Sequence, residues 1–153
     1  MSKHVPVMLH EAINALDIIP NGFYIDCTFG RGGHSKEILK KLSDDGRLLA
    51  LDKDLEAVKE GETIKDKRFE ILHASFKNLK DILKKKNFKK PNGILMDLGI
   101  SSPQIDEAER GFSFQLDSNL DMRMNQSQKF TASEIVNSFD YDELVRLLYD
   151  YGE

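Results

Sequence analysis

The prediction of the fold starts from the stretch Gly22-Phe-Tyr-Ile-Asp26-Cys-Thr-Phe-Gly30-Arg-Gly-Gly-His-Ser35. Its first half is mostly apolar, aromatic or β-branched, which predicts a β-strand that ends at Asp26 or Cys27. Glycines follow at once, and the apolar spacing after them indicates a helix that opens at His34 or Ser35. The stretch therefore predicts a strand, a glycine-rich loop and a helix.

The rest of the first hundred residues repeats this alternation. Continuous apolar runs predict strands over Arg47–Asp52, Phe69–His73 and Ile94–Leu98. Helical apolar spacing lies between them, over Leu55–Ile64 and from Phe76 onward. Strands that alternate with helices indicate an α/β fold with a parallel sheet joined by right-handed crossovers.

The last third of the chain has a different pattern. From Gly99 to about Phe130 the periodicity is lost in a segment rich in Ser, Gly, Asp and Asn. A loop of that length is usually functional or disordered. Two short helices are predicted after it, over Ala132–Ser138 and Tyr141–Tyr151.

The composition excludes several classes of protein. The chain has 153 residues, of which 40% are hydrophobic and 31% charged, so we expect one domain over residues 1–153. No apolar run approaches the roughly 20 residues of a membrane-spanning helix, and no signal peptide is predicted. The single cysteine, Cys27, excludes an internal disulfide and a cysteine zinc site, and fits a reducing cytoplasm. No metal site is expected.

The net charge of -4 is unevenly distributed. Residues 65 to 90 hold 10 Lys and Arg against 3 Asp and Glu. We expect these lysines to form the solvated face of a helix, with a phosphate-contact surface as the alternative. The lysines concerned are Lys77, Lys80, Lys84, Lys85 and Lys86.

Two acidic residues at predicted strand ends indicate a nucleoside-bearing ligand. In a doubly wound sheet, ligands lie beyond the carboxyl ends of the strands, and Asp52 at the end of the second strand is placed to bind a ribose hydroxyl pair. The dinucleotide fingerprint needs a third glycine where this chain has Ser35, which disfavours NAD. Asp26, at the end of the first strand, suits a cationic cofactor tail. These features favour S-adenosylmethionine.

The segment Asp97-Leu-Gly-Ile-Ser-Ser-Pro-Gln104 follows the fourth predicted strand. A carboxylate at Asp97 can accept hydrogen bonds from an exocyclic amine and hold its lone pair toward a methyl donor. Cys27 is interpreted as buried packing and not as a nucleophile. His34, at a helix N-terminus, is expected to donate a hydrogen bond to the ligand instead of acting as a general base.

Together, five strings of this sequence resemble the ribosomal RNA small subunit methyltransferase H (MraW) family. They are His4–Glu11, Tyr24–Ser35, Asp97–Asp106, Glu109–Phe114 and Leu120–Met124. The resemblance runs from residue 4 to the end of the chain. It implies a Rossmann-like class I methyltransferase fold, in a chain truncated before the last strands of the sheet.

The same resemblance implies an activity and a set of site residues. A cytoplasmic enzyme of this family moves a methyl group from S-adenosylmethionine to N4 of a cytidine in small-subunit (16S) rRNA, within the assembled subunit. By similarity, the cofactor contacts fall on seven residues, and Asp97, whose position after the fourth strand already suits it to orient an amine, is the predicted catalytic residue. The seven contact residues are Gly32, Gly33, His34, Asp52, Phe76, Asp97 and Gln104.

Substrate contacts are predicted within Glu109–Met124. A flipped cytosine could stack on Phe112, with Arg110 or Arg123 on a flanking phosphate. The alternative is that the phenylalanines of this segment pin a long loop onto the sheet. For the chain as a whole, the rival hypothesis is a truncated, non-catalytic fragment that binds S-adenosylmethionine.

Overall fold

The computed structural model describes residues 6–152. The chain divides into two compact units, Met1–Leu98 and Gly99–Glu153, and each is described by itself. A single domain over the whole chain stays a prediction. His4 and Val5, which open the first family string, lie outside the described residues.

The first unit alternates strands and helices, as the sequence predicts. Its elements are α1 (Leu9–Ala15), β1 (Phe23–Asp26), α2 (Gly33–Lys41), β2 (Arg47–Asp52), α3 (Leu55–Glu62), β3 (Phe69–His73), a 3₁₀ turn (Phe76–Asn78), α4 (Leu79–Lys85) and β4 (Gly93–Leu95).

Several predicted boundaries are corrected. Helix α3 ends at Glu62 and not at Ile64, and β4 begins at Gly93 and not at Ile94. Helix α2 begins at Gly33, because Gly32 adopts the left-handed conformation and caps the helix. Strand β4 ends at Leu95 and not at Leu98. The predicted bounds of β2 and β3 are confirmed.

The four strands form one parallel sheet in the order β3-β2-β1-β4. The chain builds outward from β1 to β2 and β3 and then crosses back to place β4 on the other side of β1. The strand order therefore reverses between β1 and β4. In open α/β sheets, a ligand binds outside the carboxyl ends of the strands at such a reversal.

Apolar side chains cover the sheet in separate clusters. One cluster joins α1 and α2 to the sheet through Ile13, Ile38 and Leu48. Another contains Ile25, Cys27, Leu49 and Leu51, against which the apolar residues of α4 pack. Burial of the strands in both clusters explains why β1 and β2 read as almost continuous apolar runs.

Strand β4 lies at the edge of the sheet and is less well covered. It pairs with β1 alone, through Gly93, Ile94 and Leu95. Ile94 is 43% exposed, whereas its register partner in β1, Ile25, is fully buried. The apolar run that predicted a central strand here therefore lies on an open edge of the described structure.

The second unit contains three helices and a 3₁₀ turn. They are α5 (Ser102–Asp106), the 3₁₀ turn (Ala108–Arg110), α6 (Ala132–Ser138) and α7 (Tyr141–Tyr151). The bounds of α6 and α7 are confirmed, whereas α5 and the turn lie in a segment predicted to have no regular element. Capping boxes start all three helices, at Ser101, Thr131 and Asp140. None of the helices described between residues 6 and 152 is long and apolar enough to span a bilayer.

Candidate functional site

A glycine-rich loop joins the carboxyl end of β1 to α2. Gly30 and Gly32 have φ angles of 56° and 73°, which L-residues with side chains rarely adopt. A Cβ atom on Gly32 would lie 2.6 Å from the ring of Phe29. Around Gly30, by contrast, a Cβ atom would meet no atom within 4 Å. The loop thus exposes bare backbone at the end of β1.

A buried carboxyl group, that of Asp26, accepts hydrogen bonds from residues at both ends of this loop. Asp26 is fully buried, and its Oδ2 accepts a hydrogen bond of 2.7 Å from the Ser35 hydroxyl. Its Oδ1 accepts another, of 3.1 Å, from the Thr28 N–H. Burial raises the pKa of this carboxyl above its ordinary value. The predicted contact of Asp26 with a cofactor tail is therefore corrected, because its side chain supports the loop and presents no surface to a ligand.

Asp52 ties the end of β2 to the same loop. Its Oδ2 accepts a hydrogen bond of 2.8 Å from the Gly30 N–H, and its Oδ1 accepts one of 2.9 Å from the Asp54 N–H. Desolvation raises the pKa of this half-buried carboxyl as well. An ionised carboxylate offers about four acceptor positions, so both oxygens retain capacity for ligand hydroxyls.

His34 and Asp97 face each other across the strand reversal. His34 is in the first turn of α2 and only 6% exposed, and its Nδ1 lies 3.9 Å from Asp97 Oδ2. Its Nε2 is buried and has no hydrogen-bond partner within residues 6–152. A buried ring nitrogen without a partner is costly, which makes it a position where a ligand atom would be stabilised.

Asp97 lies two residues beyond β4, in irregular backbone. Its N–H donates a hydrogen bond of 2.8 Å to the Thr28 hydroxyl, which fixes it against the loop after β1. About half of its side chain is exposed. A carboxylate held by its backbone and open to solvent can accept hydrogen bonds from an incoming amine.

Phe76 opens the 3₁₀ turn after β3. Its ring packs against the cluster that contains Ile25 and Leu49, and the Nζ of Lys53 lies 5.3 Å from the ring centroid. Lys53 directly follows Asp52, so Phe76 lies close to the end of β2. Both the predicted adenine contact and the alternative of core packing are compatible with this half-buried position.

The structure thus groups most of the predicted cofactor residues at one edge of the first unit. They lie in the loop after β1, at the end of β2, after β3 and after β4. They are Gly32, Gly33, His34, Asp52, Phe76 and Asp97. Thr28 was missed by the sequence analysis because its role depends on a partner 69 residues away.

Gln104 belongs to the second unit and has a local role there. It is 6% exposed, and its Oε1 accepts a hydrogen bond of 3.0 Å from the Ser101 N–H in the capping box of α5. The spacing of Ser101 and Gln104 is a readable sequence signature of a helix start. Its predicted contact with the cofactor stays a prediction.

Arg110 and Arg123 brace the long segment of the second unit. Arg110 is 2% exposed and donates to the carbonyl oxygens of Arg123 and Met124, at 3.2 and 3.4 Å. Arg123 forms a two-pronged pair with Asp121, at 2.9 and 2.7 Å, and donates to the Gln128 carbonyl at 2.8 Å. This pairing lowers the pKa of Asp121. Both arginines therefore brace the loop, and the phosphate contacts predicted for them stay predictions.

The two phenylalanines of this segment differ in exposure. Phe112 is half-buried, whereas Phe114 is 98% exposed. Because its own chain covers almost none of the Phe114 ring, both faces of the ring are accessible for stacking on a partner. The stacking predicted for Phe112 stays a prediction, and the exposure of Phe114 makes this ring a second candidate for it.

Two other features lie outside this site. Cys27 is buried, and burial raises the pKa of its thiol to about 11, which confirms its interpretation as packing. A cavity of about 290 Å³ is lined by Phe23, Arg47 and Phe69, the first residues of β1, β2 and β3. It therefore lies at the opposite edge of the sheet. The described residues contain no cluster of three or more potential metal ligands.

The sheet order, the glycine loop after β1 and the acid ending β2 define a Rossmann-like α/β protein whose candidate ligand site lies at the carboxyl edge. The model of the MraW methylase family matches residues 1–153, and the chain belongs to this family.

Two comparisons with individual proteins accompany the family match. The chain is 52% identical over 153 residues to ribosomal RNA small subunit methyltransferase H of Methylobacillus flagellatus, and it covers 48% of that protein. It therefore spans about half the length of this relative. A crystal structure from Clostridium thermocellum, named an rRNA-methylase by inference, aligns with a TM-score of 0.45 at 14% identity, over 52% of this chain and 48% of that one.

The buried carboxyl of Asp26 gives the stability a definite pH dependence. A group whose pKa is raised by folding stabilises the fold below its unfolded pKa, and this contribution is lost as the pH rises through the folded value. The stability of wild type relative to Asp26→Asn should therefore be greatest near the ordinary value of 3.8 and fall toward neutral pH. Urea unfolding of both proteins across this range measures the difference. A difference that grows with pH would mean that Ser35 and Thr28 stabilise the ionised form instead.

Proposed function

We propose that the first unit binds S-adenosylmethionine at the carboxyl edge of its sheet. The observation that carries this proposal is the convergence of the Gly30 loop, Asp52 and the buried His34 Nε2 at the strand reversal. The spare acceptor positions of Asp52 suit the two hydroxyls of a ribose. Gly30 leaves open backbone in the loop beside Gly32 and Gly33, the two glycines proposed to contact the ligand, and His34 Nε2 supplies a buried donor or acceptor.

The residues around Asp97 suit a methyl transfer to an amine. When bound, S-adenosylmethionine would supply an electrophilic methyl group, which would form a bond to the amine nitrogen as its bond to the sulfonium breaks and S-adenosylhomocysteine leaves as a neutral thioether. Asp97 accepts hydrogen bonds from the exocyclic amine, which orients its lone pair, and takes up the proton that the amine loses. Thr28 holds the backbone of Asp97, and His34 lies beside its carboxylate. Asp97 is thus the proposed catalytic residue.

The proposed substrate is N4 of a cytidine in small-subunit rRNA, within the assembled subunit in the cytoplasm. The name of the Methylobacillus flagellatus relative supports an rRNA substrate. The exposed ring of Phe114 is proposed to stack on an unpaired base, as enzymes that modify bases require. The open edge of β4 favours a second candidate, in which this chain alone binds the cofactor without catalysis.

Cofactor binding by this chain tests the first part of the proposal. Calorimetric titration should show micromolar binding of S-adenosylmethionine and no binding of NAD. Asp52→Ala should weaken this binding at least about tenfold, or roughly 1.4 kcal/mol, because the ribose contact and the anchor of Gly30 are both lost. Asp45→Ala, an exposed acid in the turn before β2, serves as the matched control and should bind like wild type. Preference for NAD, or equal loss in both variants, would contradict the proposal.

Catalysis is tested in a chimera that adds the remaining half of the Methylobacillus flagellatus relative to this chain. With tritiated S-adenosylmethionine and small ribosomal subunits, Phe114→Ala should slow methyl transfer about tenfold or more while cofactor affinity stays unchanged, because a stacked base is worth about 1–3 kcal/mol. Phe130→Ala, which removes another exposed ring of the second unit, is the control. Equal effects of the two variants would show that Phe114 does not stack on the base. If the chimera is active and this chain by itself is inactive, the result favours the non-catalytic candidate for this chain.

A further inference from the structure

Six lysines lie in the 3₁₀ turn before α4, on α4 and in the residues that follow it. We call them the lysine surface; they are Lys77, Lys80, Lys84, Lys85, Lys89 and Lys90. All six are exposed. The apolar residues of α4, Leu79, Ile82 and Leu83, pack against the sheet, so the lysines of the helix lie on its outer side. Their exposure, taken by itself, agrees with the prediction that these lysines form the solvated face of a helix.

Among residues 6–152, the lysine surface lacks the acidic partners that three other lysines of the first unit have. Within the described residues, none of its six members forms an ion pair or a side-chain hydrogen bond. Elsewhere, Lys40 pairs with Glu37, Lys67 with Asp44 at 3.6 Å, and Lys86 with Glu70. Only one acid, Asp81, lies on α4 itself. The positive charge of this surface is therefore left for a partner to neutralise.

The position of the lysine surface connects it to the candidate site. Lys77 directly follows Phe76, the residue predicted to contact the adenine. Helix α4 then leads from the carboxyl edge of the sheet, where β3 ends, back to the edge where β4 begins. The lysine surface thus starts next to Phe76, near the proposed cofactor site, and runs with α4 toward the opposite edge of the sheet.

We propose that the lysine surface binds the phosphate backbone of the RNA that flanks the target nucleotide. The proposal rests on the proposed function, because it assumes an RNA substrate. A chain with a net charge of -4 would repel RNA as a whole, so the local excess of 10 basic over 3 acidic residues between positions 65 and 90 supplies the attraction. Flexible ammonium groups without neighbouring exposed aromatic rings suit phosphates and not base edges.

Charge reversal on α4, compared with the opposite face of the sheet, tests this proposal. The probe is a fluorescein-labelled single-stranded RNA of mixed sequence, titrated at several salt concentrations. Lys80→Glu with Lys84→Glu should weaken binding at least about tenfold and reduce the slope of log affinity against log salt by about 1.4, since each lost phosphate contact removes about 0.7. The control reverses Lys41 and Lys59, exposed lysines in the last turns of α2 and α3. It should change affinity about twofold or less.

Three results would overturn the proposal. They are absence of RNA binding by wild type, equal losses in the two double variants, and equally tight, equally lysine-dependent binding of a polyglutamate peptide in place of RNA. If charge reversal impairs folding, the milder double variant Lys80→Gln with Lys84→Gln replaces it in the test. Circular dichroism checks that this variant is folded. S-adenosylmethionine titration of the same samples separates the two proposals. If RNA binding depends on Lys80 and Lys84 but S-adenosylmethionine does not bind, the result supports the proposal for the lysine surface and contradicts the proposed function.

Discussion

The hydrogen bonds of one buried carboxyl group, Asp26, hold the candidate site in place. The carboxyl binds the Ser35 hydroxyl at the start of α2 and the Thr28 N–H in the loop. Thr28 in turn accepts a hydrogen bond from the Asp97 N–H beyond β4. This chain of contacts crosses the strand reversal, while Asp52 joins the end of β2 to Gly30. The ends of three strands are therefore fixed to one another by side chains before any ligand binds, which is the preorganisation that positioning chemistry requires.

Apolar continuity predicted the bounds of one interior strand, β2, and of one edge strand, β3, but not the end of β4. The run from Ile94 to Leu98 is as apolar as these strands, yet it stops pairing after Leu95. Two residues later the Asp97 N–H bonds to the Thr28 hydroxyl instead of a neighbouring strand, which apolar continuity does not reveal. Helix α5 has only five residues, too few for periodicity, although its capping box was visible in the sequence.

The positions of side chains at strand ends could be predicted from the sequence, whereas contacts between residues distant in the chain could not. Asp52, His34 and Asp97 follow strands or begin a helix, and the structure places all three at the carboxyl edge. Arg110 instead donates hydrogen bonds to two carbonyl groups more than ten residues away in the chain, and no local sequence pattern reveals these contacts. A buried arginine and an exposed one look the same in a single sequence.

The central claim is that the carboxyl edge of the first unit is the methyl-donor site, and NMR spectroscopy tests it most directly. S-adenosylhomocysteine, the product form of the donor, would be titrated into uniformly ¹⁵N-labelled protein. The account predicts shifts of the amides of residues 30–34, 52 and 97 and of the His34 Nε2 resonance. Shifts confined to Phe23, Arg47 and Phe69, around the cavity at the opposite edge, would contradict it.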